Sequence, residues 1–179
     1  MSAEIIELDD VDSLGTGAVG EPGQRAFYIQ ARTEHTQLTV LVEKEQVGLL
    51  ATEAVAFLDK IAEKYPELPF DLPTTQSSLR EPTVPLFRDR LIGLGFDPER
   101  ELVLIELRER PDDDDADIAT DPGLDDDDEE GYVARIYATR AQVRAMAARG
   151  AEAVAGGRPP CPLCEQPMDP SGHRCPRWN

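Results

Sequence analysis

The chain has 179 residues, 40% of them hydrophobic, and a formal net charge of -18. That length supports one core of ordinary size with a small satellite. The acidic balance disfavours general nucleic-acid binding, which needs a clustered cationic face to release counterions.

No apolar run approaches the roughly 20 residues needed to cross a bilayer, and Met1 to Asp10 holds acids but no Lys or Arg. Neither a membrane span nor a signal peptide is expected, and a soluble, cytoplasmic protein is.

In chain order, Gly15 to Gly20 opens a first strand, and Glu21-Pro22-Gly23-Gln24 reads as a turn. Arg25 to Arg32 and Gln37 to Val42 alternate apolar and polar residues, as paired strands with one covered face do. From Lys44 to about Lys64 the period changes. Val47, Leu50, Ala51, Ala54, Val55, Leu58, Ile61 and Ala62 recur at three- and four-residue spacing, predicting an amphipathic helix that Pro66 ends. Residues 66–85, rich in proline, read as a surface crossover.

Leu86 to Phe96 resumes strand character, with Gly93 and Gly95 marking a bulge or a close backbone approach. Asp97-Pro98-Glu99-Arg100 is a hairpin turn into the strand Glu101 to Arg108. The span Glu109 to Glu130 then carries 13 acids against one Arg, leaving only 23 acids and 17 bases elsewhere. A like-charge run broken by Ala, Pro and Gly stays solvated, so 109–130 is expected as a disordered insert. An EF-hand does not fit it, because Gly123 at the sixth loop position puts Ile118 at the first. Gly131 to Ala138 returns as a strand. Thr139 and Gln142 form a capping box for a helix running to about Ala155, and Gly156-Gly157 stops it.

The two halves echo each other: Gly20-Glu-Pro-Gly-Gln-Arg and Lys44-Glu45-Gln46-Val47 against Phe96-Asp-Pro-Glu-Arg and Arg140-Ala141-Gln142-Val143. The expected fold is α+β, two repeated βββα units forming an antiparallel sheet packed with two helices over residues 1–156. A small zinc knuckle follows over 157–179.

That knuckle is the most specific chemical signal. Cys161 and Cys164 stand in C-x2-C spacing, and His173 and Cys175 return after the turn-forming Met168 to Gly172. A knuckle brings side chains at i and i+3 to one point, and zinc takes four such ligands in a tetrahedron. All three cysteines lie in this group, which fits a reducing compartment better than a disulfide scaffold. One structural Zn2+ is expected. Alternatives are iron in the same tetrahedron, or a three-thiolate site with water in place of His173, which would open a catalytic reading.

Arg158, Arg174, Arg177 and Trp178 make the terminal stretch locally basic and aromatic, as single-stranded nucleic-acid binders are. Such residues more often dock a zinc module onto its own domain or a partner. No G-x-S-x-G, phosphate-cradling glycine loop with Lys, or H-E-x-x-H occurs. Gly15-Thr-Gly-Ala-Val-Gly leads into a strand, not a helix, so the dinucleotide reading fails. No catalytic residue can be named.

The segments Gly-Glu-Pro-Gly-Gln-Arg, Glu43 to Val47, Gly93-Leu-Gly95-Phe, Ala138 to Gln142 and Gly157-Arg-Pro-Pro-Cys-Pro-Leu-Cys, with the Gly-His-x-Cys-Pro-Arg return, carry a resemblance over nearly the whole chain. It resembles the actinobacterial domain-of-unknown-function family 3090. The resemblance implies no established activity. It implies a genomic neighbourhood with kinase-like and histidine-phosphatase-like proteins, and glycine as the usual residue after the second cysteine. Here that position is Glu165, which would strain the turn while keeping a donating backbone amide. The favoured function is a zinc-binding, non-catalytic adaptor with a protein partner. Alternatives are an enzyme acting on a phosphorylated small molecule between the two halves, with Arg32, Arg88 and Arg90 around one anion, and a weak nucleic-acid contact.

Overall fold

Alternation of apolar and polar residues sends every second side chain of a strand to one face, and seven strands here share a single sheet. The computed structural model describes residues 3–67, 77–109, 131–169 and 171–178. In chain order the elements are β1 (Glu4–Leu8), β2 (Ser13–Val19), β3 (Ala26–Arg32), β4 (Gln37–Val42), α1 (Lys44–Lys64), β5 (Phe87–Asp97), β6 (Leu102–Glu109), β7 (Tyr132–Ala138) and α2 (Arg140–Ala155). Side by side the strands run β1-β7-β6-β5-β4-β3-β2.

β2, β3 and β4 form one antiparallel meander and β5, β6 and β7 another. The wholly antiparallel sheet expected from the sequence is corrected at two seams, since β4 pairs parallel with β5 and β1 parallel with β7. A hairpin reverses direction, whereas a helical crossover returns the chain in the same direction. α1 lies in the connection between β4 and β5, and of the surface crossover expected over 66–85, residues 68–76 lie outside the described residues. β1 was not anticipated, because Leu8 is its one buried side chain and no alternation marks it.

The core lies between one sheet face and the two helices. Ile29 faces Val40 across β3 and β4, and Ile105 faces Ile136 across β6 and β7. All four belong to one buried cluster with Val47, Leu50, Ala54 and Leu58 of α1 and Val143, Met146 and Ala147 of α2. Full burial of each Val, Leu, Ile or Met side chain among them contributes about 1.5–3 kcal/mol. α2 sits close because Gly150 has no side chain: a Cβ there would be 3.1 Å from Val47 Cγ1 and 3.3 Å from Thr16 Cγ2.

Both helices start in the same way. Gln46 Oε1 accepts from the Glu43 N–H at 2.7 Å, and Gln142 Oε1 from the Thr139 N–H at 2.8 Å. Each amide nitrogen then reaches outward, Gln46 to Asp89 at 2.9 Å and Gln142 to the Val11 carbonyl at 2.6 Å.

The opposite face of β2–β4 is covered by residues 77–82, the end of the crossover. Gln30, buried on β3, clamps that strap. Its Nε2 donates to the Arg80 carbonyl and its Oε1 accepts from the Arg80 N–H, both at 2.8 Å. The Thr16 N–H donates to the Ser77 carbonyl at 3.0 Å. A Cβ at Gly15 would stand 2.8 Å and 2.9 Å from the Ser77 and Ser78 carbonyl oxygens, so the strap needs glycine there.

Of the bulge or close backbone approach expected at Gly93 and Gly95, the bulge lies elsewhere. Both glycines pair regularly, with Glu106 and Leu104, and the register shifts between Asp89 and Leu91. Asp89 causes it by taking the Arg108 N–H at 3.0 Å. Burial pushes the Asp89 carboxyl up to about 6, against hydrogen bonds from Arg108, Gln46 and Leu91 that lower it. Glu106 shows the opposite balance. Burial alone would raise it, but hydrogen bonds from Arg135 and Arg108 hold it below the usual carboxylate range.

The acidic insert expected over 109–130 lies, Glu109 apart, outside the described residues. Among the described residues no helix is long and apolar enough to cross a membrane.

Candidate metal centre

After α2 the chain makes a small hairpin. Pro160 bridges to Pro167, the Met168 N–H donates to the Pro159 carbonyl at 2.9 Å, and the Cys161 N–H to the Gln166 carbonyl at 2.8 Å. The tip holds Cys161-Pro162-Leu163-Cys164, and the Glu165 N–H closes it by donating to the Cys161 carbonyl at 2.9 Å. Closing the turn puts Glu165 in the left-handed region at φ 62°, where a Cβ crowds the carbonyl oxygen. A second turn, the Gly172 N–H to the Asp169 carbonyl at 3.0 Å, brings the chain back, with Gly172 at φ 124°.

These turns converge the four residues that the spacing singled out. One ligand atom each from Cys161, Cys164, His173 and Cys175 lies within 4.8 Å of every other. His173 presents Nε2, 3.2 Å from Cys164 Sγ. A tetrahedral zinc with ordinary bond lengths would set sulfur–sulfur edges of about 3.8 Å and sulfur–nitrogen edges of about 3.6 Å, so the group is of the size to take the ion with little movement. All three thiols are free. The backbone N–H groups of Cys164 and Leu163 point at Cys161 and lower its thiol to about 6. Burial, with the neighbouring cysteines, pushes Cys164 up. A divalent cation would take both as thiolates, since a coordinating thiol is deprotonated outright. Protein ligands would then fill all four positions, leaving none for an activated water.

The segment docks on its own domain. Arg158 donates to Asp169 at 2.7 Å, and a Cβ on Gly23, in the β2–β3 turn, would lie 3.1 Å from Arg158 Nε. Arg177 donates to the Leu163 carbonyl at 3.3 Å. Two of the four residues considered for nucleic acid thus brace the segment itself, while Trp178 stays 79% exposed.

Arg32, Arg88 and Arg90 do not converge as an anion site requires. Arg88 stands beside Leu41 and, through it, Tyr28, whereas Arg32 lies four residues further along β3, about 13 Å away along the strand. Sequence reasoning missed a different set: Arg25, Lys44, Arg88 and Arg158, which line one cleft beside the C-terminal segment. Their separation in sequence left no local motif.

Neither the curated proteins nor the solved structures compared with this chain include a match. One family does match, described as "Protein of unknown function (DUF3090)" and spanning residues 6–175. The match takes in both helices, six strands in full and all four convergent ligands, and the chain belongs to the DUF3090 family.

Proposed function

We propose that Cys161, Cys164, His173 and Cys175 hold one structural zinc ion, and that the protein is a non-catalytic adaptor whose metal-folded terminal segment meets a protein partner. The observation that carries this is the mutual approach of the four ligand atoms within 4.8 Å. A short segment whose one member of the buried set is Cys161 has little core of its own, and a metal supplies the missing folding free energy. Leu163 and Trp178, 49% and 79% exposed, give it an apolar and aromatic outer surface. Free thiols gathered in one group support a reducing, cytoplasmic setting. The resemblance makes the kinase-like and phosphatase-like neighbours the first partners to try.

The same reading treats the two βββα runs as products of one duplicated unit. What supports it is the shared start of α1 and α2, in which Gln46 and Gln142 each cap with Oε1 and reach outward with Nε2.

The test is affinity capture from the native cell, identified by mass spectrometry, comparing the intact protein with Cys161→Ser and with a chain truncated after Gly157. A partner held by the intact chain and lost from both variants is expected. Equal capture by all three would end the adaptor reading.

A further inference from the structure

The metal segment and the domain enclose a cleft of about 420 Å³, within the range of small-molecule sites. Arg25, Lys44, Arg88 and Arg158 line it, with Glu43 as the one acid, in a chain whose net charge is -18. Arg88 is paired with Glu43 and Arg158 with Asp169. The other two cations have no acid partner among the described residues: Arg25 Nη1 donates to the Ala153 carbonyl at 2.9 Å with its guanidinium 5.0 Å from the Phe27 ring centroid, and the Lys44 side chain makes no hydrogen bond or ion pair there.

These two point at one place. A Cβ on Gly157 would lie 3.0 Å from Arg25 Nη2 and 3.2 Å from Lys44 Nζ. Two positive groups that close repel unless an anion stands between them, and the absent side chain at Gly157 leaves both nitrogens reachable. The Ala153 carbonyl and the Phe27 ring fix the guanidinium before any ligand arrives, which reduces the entropy cost of binding. Phe27 and Val42, paired on one sheet face, also line the cleft, so apolar surface accompanies its cations, and its volume leaves room for more than an inorganic ion.

We infer that this cleft binds a small organic phosphate monoester, its phosphate held by Arg25 and Lys44 with Arg158 from the metal segment, and its organic body against Phe27 and Val42, which pair on one sheet face. The inference rests on the metal reading only through Gly157 and Arg158, which open the terminal segment.

Isothermal titration calorimetry on the metal-loaded full chain tests it, with inorganic phosphate and phenyl phosphate as probes. Lys44→Ala is the main variant, Arg25→Lys a second, and Lys60→Ala, exposed near the far end of α1, the control. Zinc is measured on the same samples, so loss of anion binding at unchanged metal content is separable from failure of the metal site. Phenyl phosphate should bind more tightly than inorganic phosphate, and Lys44→Ala should weaken both by about tenfold, the ordinary worth of one charged hydrogen bond. Lys60→Ala should bind as the wild type does. Absence of binding by either probe, or unchanged binding in both Lys44→Ala and Arg25→Lys, would overturn the site. Equal affinity for the two probes would overturn the ester assignment.

Discussion

Glu165→Gly should strengthen zinc binding although Glu165 is not itself one of the four candidate ligands. Glu165 sits at φ 62° so that its N–H can close the Cys161–Cys164 turn at 2.9 Å. A residue with a Cβ pays about 1–2 kcal/mol in that conformation, and glycine does not. Against this, glycine loses about 0.5–1 kcal/mol more backbone freedom on ordering. The net gain is about 0.5–1 kcal/mol, or a zinc dissociation constant lower by about two- to fivefold. Competition with a chromophoric chelator on the purified apo-protein measures it directly. Glu165→Ala supplies the control, since it removes the carboxylate but keeps the Cβ, and should stay near wild type. Unchanged or weaker binding in Glu165→Gly, or an equal gain in Glu165→Ala, would refute the argument from backbone strain.

Gly15→Ala should cost about 1–3 kcal/mol in urea denaturation, because its Cβ would meet the Ser77 and Ser78 carbonyl oxygens below 3.0 Å. Gln30→Ala, which strips both hydrogen bonds from the Arg80 backbone, should cost about 2 kcal/mol or more and expose residues 77–82 to limited proteolysis. Asp89 gives a pH signature. Its folded pKa of about 6 lies above the usual 3.8, so the folded state holds the proton more tightly, and the resulting stability, present below about 3.8, is lost as pH rises through 6. The span is about 3 kcal/mol. Urea midpoints from pH 4 to 7 should show that loss in wild type relative to Asp89→Asn, and parallel profiles would contradict it.

The sequence showed whatever a short window holds. β3 and β4 announce themselves by alternation between turn residues, β6 by its apolar run after the Asp97–Arg100 turn, α1 by its apolar spacing, and α2 by its Thr139–Gln142 cap, because these are local backbone preferences. The Cys3His group was legible for the same reason, with all four residues in one terminal segment. What stayed hidden depends on distant pairing. The parallel β4–β5 and β1–β7 seams are chosen by how the halves dock. Gln30 read as an ordinary outward polar position until residues 77–82 covered it. The bulge follows from the Asp89 carboxylate capturing the Arg108 N–H, not from the glycines nearby. The Arg25, Lys44 and Arg158 convergence joins a turn, a helix start and the C-terminal segment, which no spacing rule connects.

The most direct measurement is metal content on protein purified without added metal, joined to amide hydrogen exchange before and after chelation. One zinc per chain is predicted, with chelation releasing protection at Cys161, Glu165 and Met168, whose N–H groups close the hairpin, while β3, β6 and α1 keep theirs. A metal-free chain whose terminal segment is already protected, or one in which chelation unfolds sheet and segment together, would contradict a structural zinc that folds the segment alone.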